Sequence, residues 1–109
     1  EALRQQALAD GILDAGVSIL LEGRRPEGER SPGWVQRQTE VIARALDSFE
    51  SEMAVFGDSI TIGHVALGCA LGWLDFRIPT LDWRSSRPKL AAWNETFQAL
   101  PAMLATKPV

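Results

Sequence analysis

Two carboxylates four residues apart, Asp10 and Asp14, pose the most direct chemical question in this chain. On a helix that spacing puts both on one face, where like charges repel by ~0.2–0.5 kcal/mol unless a cation lies nearby. A ligand ammonium or a partner's arginine would supply that cation; the plainer reading is two solvated carboxylates, with Asp10 simply near a helix start. Other reactive groups are few. The chain has one histidine, His64, and one cysteine, Cys69, too few for a zinc site of the usual kind. A single histidine at a helix start cannot serve a nucleophile–base–acid triad, so no catalytic set is expected here. Cys69 lies in an apolar run and reads as a small buried hydrophobe. Asp75, Arg77 and Asp82 read as a structural salt-bridge cluster at a helix end.

Helices must position these groups, because no period-two pattern competes anywhere. The first helix runs from near the start to about Glu22, with Leu8, Ile12, Ala15 and Ile19 on one stripe that Leu13, Val17, Leu20 and Leu21 widen. A polar loop, 23–30, follows. Ser31 at N-cap and Pro32 at the first helical position open a second helix. Its inward stripe runs from Trp34 and Val35 through Ile42 and Leu46 to Phe49 and Met53, while Glu40 and Arg44 dress the solvent side. After a turn at Phe56-Gly57-Asp58, Thr61 is the N-cap of a third helix ending near Arg77. Ile60 and Val65 occupy the positions of a hydrophobic staple around that cap. This third helix is apolar on nearly every side and therefore reads as central, enclosed by the others. It is shorter than the ~20 apolar residues that a bilayer span needs. Gly68 and Gly72 within it each cost about 1 kcal/mol relative to Ala, which points to close backbone approach by a neighbouring helix. Pro79 ends the helix, a connector at 80–87 carries Trp83, and Pro88 opens a further helix. Pro101 breaks that one and permits a last turn through Met103 and Leu104 before a fraying tail. Trp34, Trp73, Trp83 and Trp93 are all expected in the core.

A chain of 109 residues fits one domain, here all-α. Its net charge of −3, with no basic stripe, gives no reason to expect nucleic acid and disfavours a small DNA-binding domain. The lone cysteine excludes an internal disulfide and fits a reducing, cytoplasmic compartment. No anchor to a membrane is visible. The first residues, Glu1 to Leu8, read as helix interior with no initiator Met, as expected of a piece of a longer chain.

The order of these parts resembles the C-terminal helical domain of the cytosolic glutathione transferase superfamily, over essentially all of residues 1–109. Thr61-Ile62-Gly63-His64-Val65-Ala66-Leu67-Gly68 is similar to that family's capping box and staple. Arg87-Pro88-Lys89-Leu90-Ala91-Ala92-Trp93 resembles its penultimate helix, and Ala9-Asp10-Gly11-Ile12-Leu13-Asp14 the opening of its first C-domain helix. Trp73-Leu74-Asp75-Phe76-Arg77 with Leu81-Asp82-Trp83 resembles a bacterial subgroup. Two positions depart from the pattern. His64 stands where the family usually has Asp, from which His64→Asp is expected to stabilise the domain. Leu100-Pro101-Ala102 replaces an Arg-Pro-Ser run.

The resemblance implies a helical bundle around a buried central helix, and glutathione as co-substrate with no metal. Glutathione and the residue that activates its thiol would belong mainly to an N-terminal thioredoxin-like domain that this chain lacks, so no catalytic residue is expected here and the fragment alone should be inactive. Asp14 would meet the γ-glutamyl amine of glutathione across a homodimer. Val17, Ser18, Leu21 and Arg24 would line the pocket for a hydrophobic electrophile. A non-catalytic helical interaction module is the alternative. Both readings imply an exposed apolar patch where the missing domain docks.

Overall fold

Prolines and capping side chains set the helix boundaries. Ser31 accepts the Trp34 N–H at 3.2 Å and Pro32 occupies the first helical position, so the second helix begins where the sequence places it. Thr61 Oγ1 accepts from the N–H groups of Gly63 and His64, at 3.2 and 3.4 Å, and starts the third. The computed structural model describes residues 1–57 and 59–106. It contains α1 (Ala2–Gly23), α2 (Pro32–Glu52), α3 (Ile62–Arg77), α4 (Pro88–Gln98) and α5 (Pro101–Thr106), with single 3-10 turns at Glu27–Glu29 and Met53–Val55. No strand occurs among the described residues. Gly57 adopts a φ of 81°, which glycine tolerates; Asp58 of the expected turn and the tail at 107–109 lie outside the described residues.

α1 and α3 lie side by side and run parallel. The start of α3 at Gly63 abuts Ala2 and Gln5, and farther along Trp73 lies against Gly16. α2 covers the second side of α1, and Ile12, Ile42, Leu46, Phe49, Leu67 and Leu71 meet in a core from which water is excluded. Each such side chain contributes about 1.5–3 kcal/mol by leaving water. Trp83 in the connector is also fully buried.

α4 obtains its N-terminal cap from another helix. Its own N-cap residue, Arg87, makes no capping bond; instead Glu50 of α2 accepts the N–H groups of Lys89 and Leu90 at 3.2 and 2.8 Å. A carboxylate on the first turn of a helix also meets the positive end of its dipole. Glu50→Ala is expected to lower the unfolding free energy by about 1–2 kcal/mol, with Glu50→Gln in between, as measured by urea denaturation. Equal midpoints for all three proteins would show that α4 needs no such cap.

The structure corrects several sequence expectations. α3 is the central helix, but its enclosure has a gap: Ile62, Val65, Cys69 and Phe76 form one exposed stripe. Cys69 is therefore exposed rather than buried, because it falls on the side of α3 left open between its neighbours. Trp34 is 40% exposed, with the Arg37 guanidinium 5.9 Å from its ring, since it lies too near the start of α2 to reach the core. Gly68 is close-packed by the ring of Phe97 and not by backbone, while a Cβ at Gly72 would meet only the Gln98 amide, at 3.5 Å. Asp75 pairs with Arg84 rather than Arg77, whose guanidinium instead lies over the Phe76 ring at 4.5 Å. Asp82 receives the Ser85 hydroxyl and, at 3.2 Å, the Ser85 N–H, which with the nearby Arg84 hold its carboxyl below the ordinary aspartate range.

Candidate functional site

The outer face of α1 carries the residues singled out from the sequence. Asp10, Asp14, Val17, Leu21 and Arg24 follow one another at alternating steps of four and three, and all are exposed. Val17 and Leu21 thus place apolar surface beside two carboxylates. Among the described residues no ion pair engages Asp10 or Asp14. Ser18 is half-buried and its hydroxyl donates to the Asp14 carbonyl at 3.0 Å, within its own helix. Arg24 is the C-cap residue of α1.

The end of this face is held by Glu22. Its buried carboxylate accepts the Ser31 N–H at 2.7 Å and the Arg25 guanidinium at 3.1 Å, closing the loop between α1 and α2. The Ser31 N–H, seconded by Arg25, holds this carboxyl below the ordinary glutamate range. Val17 to Arg24 consequently sit on a fixed helix end rather than a frayed one.

At the start of α3, His64 completes a capping box in an unexpected way. The Gly57 carbonyl can only accept, so Nε2, 3.2 Å away, carries the ring proton. Nδ1 is then an acceptor, 2.9 Å from the Thr61 hydroxyl and 3.4 Å from the Thr61 N–H. The ring is buried against Phe56, with centroids 4.1 Å apart. Thr61 and His64 thus occupy the capping positions read from the sequence, whereas the staple residues Ile60 and Val65 are 58% and 38% exposed. Both the second bond and the ring packing would be lost in His64→Asp, so the structure turns the expectation for that substitution towards destabilisation.

A groove of about 620 Å³ lies between α3, α4 and α5, with Cys69, Gly72, Trp73, Phe76, Gln98 and Met103 on its walls. None of Asp14, Val17, Ser18, Leu21 and Arg24 lines it. The sequence reading missed this groove; Gly72, in a helix with no partner close enough to require it, was the available signal. Asp75 and Arg84 stand at its edge, joined by two bonds of 2.8 and 2.6 Å, and Asp75 also accepts the Trp83 indole N–H at 3.0 Å. No group of three His, Cys, Asp or Glu side chains fit to hold a metal occurs among the described residues. No helix among them is long and apolar enough to cross a membrane.

Comparison with known proteins matches this arrangement. Residues 32–95 fit the family model of the glutathione S-transferase C-terminal domain. The GST-like protein YibF of Escherichia coli is 34% identical over 106 residues, covering 94% of this chain and 52% of its own length. A glutathione transferase family member from Pseudomonas fluorescens, solved with S-(propanoic acid)-glutathione bound, is 41% identical with a TM-score of 0.95, over 99% of this chain and 56% of that one. A glutathione S-transferase from Methylobacillus flagellatus, solved with glutathione bound, is 32% identical with a TM-score of 0.92, over 99% of this chain and 55% of that one. The chain belongs to the glutathione S-transferase C-terminal domain family, and it spans about half the length of these relatives.

Proposed function

We propose that this chain is the helical half of a glutathione transferase that adds the glutathione thiol to hydrophobic electrophiles. The missing half, thioredoxin-like on this reading, binds most of the tripeptide and lowers the thiol pKa, as an activated sulfur nucleophile requires. The helical half supplies an apolar wall beside the thiol, with Val17, Ser18, Leu21 and Arg24 facing the electrophile, and part of a homodimer interface along α1. Asp14 receives the γ-glutamyl ammonium from across that dimer. The enzyme works in the cytoplasm, where glutathione and a lone thiol are kept reduced.

One observation carries this reading: a relative that is 41% identical across nearly the whole of this chain was solved with a glutathione conjugate bound. The open carboxylate of Asp14 beside exposed Val17 and Leu21 has the chemistry of such a site, apolar with one charge. The test is Asp14→Ala in the full-length protein, assayed for conjugation against glutathione concentration. A charge-assisted hydrogen bond of about 1.5–3 kcal/mol corresponds to a rise of about tenfold or more in KM for glutathione, with kcat little changed. A KM unchanged by the substitution removes Asp14 from the site, and a full-length protein that neither binds nor conjugates glutathione favours the non-catalytic module.

A further inference from the structure

We infer, resting on the transferase reading above, that Glu22 is a positioning residue for the electrophile. It fastens the stretch of α1 that carries Val17, Leu21 and Arg24.

α1 is anchored in two unlike ways. Up to Gly16, where Trp73 of α3 lies against it, the helix buries Gln5, Ala9, Ile12 and Ala15. From Val17 to Gly23 only Glu22 is buried, and Ile19 reaches the core in part. Close packing therefore fixes the part that bears Asp10 and Asp14. In the part that bears Val17 and Leu21, a carboxylate stands in place of a core.

Little else holds this end of the helix. No residue from Gly23 to Ser31 adopts the left-handed conformation that commonly closes a helix; Arg24, at the C-cap, has φ −88° and ψ −8°. A groove of about 420 Å³ separates the end of α1 from the start of α2, with Ile19, Pro32 and Val35 on its sides. Side-chain packing thus leaves a gap between the two helices here, and Glu22, which lines the groove, bridges it.

The bridge joins one helix end to the cap of the next. Glu22 Oε2 accepts the Ser31 N–H at 2.7 Å, and Oε1 accepts from the Arg25 guanidinium at 3.1 Å. The hydroxyl of the same Ser31 accepts the Trp34 N–H and caps α2. A carboxylate bound to a backbone N–H makes a charge-assisted bond, stronger than a neutral one. Leu21 and Arg24, on either side of Glu22 in sequence, are exposed and fall on the face offered to the electrophile. Loss of the bridge frees the turn on which they sit, and a displacement of about 1 Å is enough to spoil a fitted contact. Glu22 touches no substrate on this reading; it acts through the helix end that it ties down.

Binding rather than turnover provides the test. Titration calorimetry on the full-length protein compares glutathione with S-hexylglutathione, whose apolar chain takes the place of the electrophile. The wild type is expected to bind the hexyl conjugate at least about tenfold more tightly, as burial of several methylene groups requires. Glu22→Ala should reduce that advantage about fivefold or more while leaving the Kd for glutathione within about twofold, because Asp14 lies in the packed part of α1. Glu22→Gln keeps an acceptor for the Ser31 N–H without the charge; it should fall between the two, and it decides alone should the alanine variant not fold. An advantage unchanged in every variant that folds overturns the inference. So does an equal loss of affinity for both ligands, which makes Glu22 a structural residue only. A wild type that binds the two ligands equally tightly has no such apolar wall and overturns it as well. A wild type that binds neither refutes the transferase reading itself.

Discussion

Replacing Arg87 by alanine is expected to destabilise the bundle by about 2–3 kcal/mol, well beyond the effect of removing its ion-pair partner, Asp47. The residue is only 8% exposed although it carries a full charge. Pro88 disfavours helical backbone at the residue before it, and Arg87 accordingly has φ −135° and ψ 66°. From that position its guanidinium turns back onto α2, donating to Asp47 Oδ1 at 2.8 Å, to the Trp83 carbonyl at 3.2 Å and to the Ala43 carbonyl at 3.4 Å. One side chain thereby ties α2, the connector and the start of α4 together. The ion pair is not the main contribution, because Asp47 is 66% exposed and such a pair contributes about 1 kcal/mol or less. The larger share is the Trp83 carbonyl left without its donor and the void left by the arginine stem. Urea denaturation should therefore rank Arg87→Ala well below Asp47→Ala, with Arg87→Met between them because it keeps the stem. Equal losses for Arg87→Ala and Asp47→Ala would make the surface ion pair the real contributor.

What could be read in the sequence and what could not follows from the range of the forces involved. Ser31, Pro32, Thr61 and Pro88 act within one helical turn, so a local pattern contains all that is needed to place the starts of α2, α3 and α4. Glu50 acts on α4 from 40 residues away, and no local pattern announces it. Periodicity tells which residues share a face; it does not tell which face is covered. α2 has a clear apolar side, and apart from Trp34 its inward stripe was legible. α3 is apolar all round, so nothing in its spacing distinguishes Cys69, on the open side, from Leu71, which is fully buried. The groove beside Cys69 arises where three helices meet, and such a junction has no period at all. On α1 the exposure of Val17 and Leu21 was not readable, because both are apolar and their spacing only widens the stripe of Leu8, Ile12, Ala15 and Ile19, and a role for them and for Asp14 came only from likeness to a family.

His64→Asp is expected to lower the unfolding free energy by about 1–2 kcal/mol, the opposite of what the capping pattern alone suggests. An aspartate three residues after the cap would still reach back to the Thr61 N–H and would gain about 0.5 kcal/mol from the helix dipole. Against this stand two losses visible only in three dimensions. The imidazole is 4% exposed and packs on Phe56, which in turn meets Trp93 edge-on at 5.4 Å, so shortening it opens a void inside an aromatic cluster. The shorter side chain also surrenders the Nε2–H bond to the Gly57 carbonyl and sets a negative charge close to that oxygen. The turn before α3 is thereby untied from the helix it leads into. Chemical denaturation of the wild type, His64→Asp and His64→Asn decides the matter. The asparagine variant keeps an acceptor for Thr61 without adding a charge, and should fall between the other two. An aspartate variant at least as stable as the wild type would mean that the cap alone governs this corner, and that the bond to Gly57 and the packing on Phe56 contribute little.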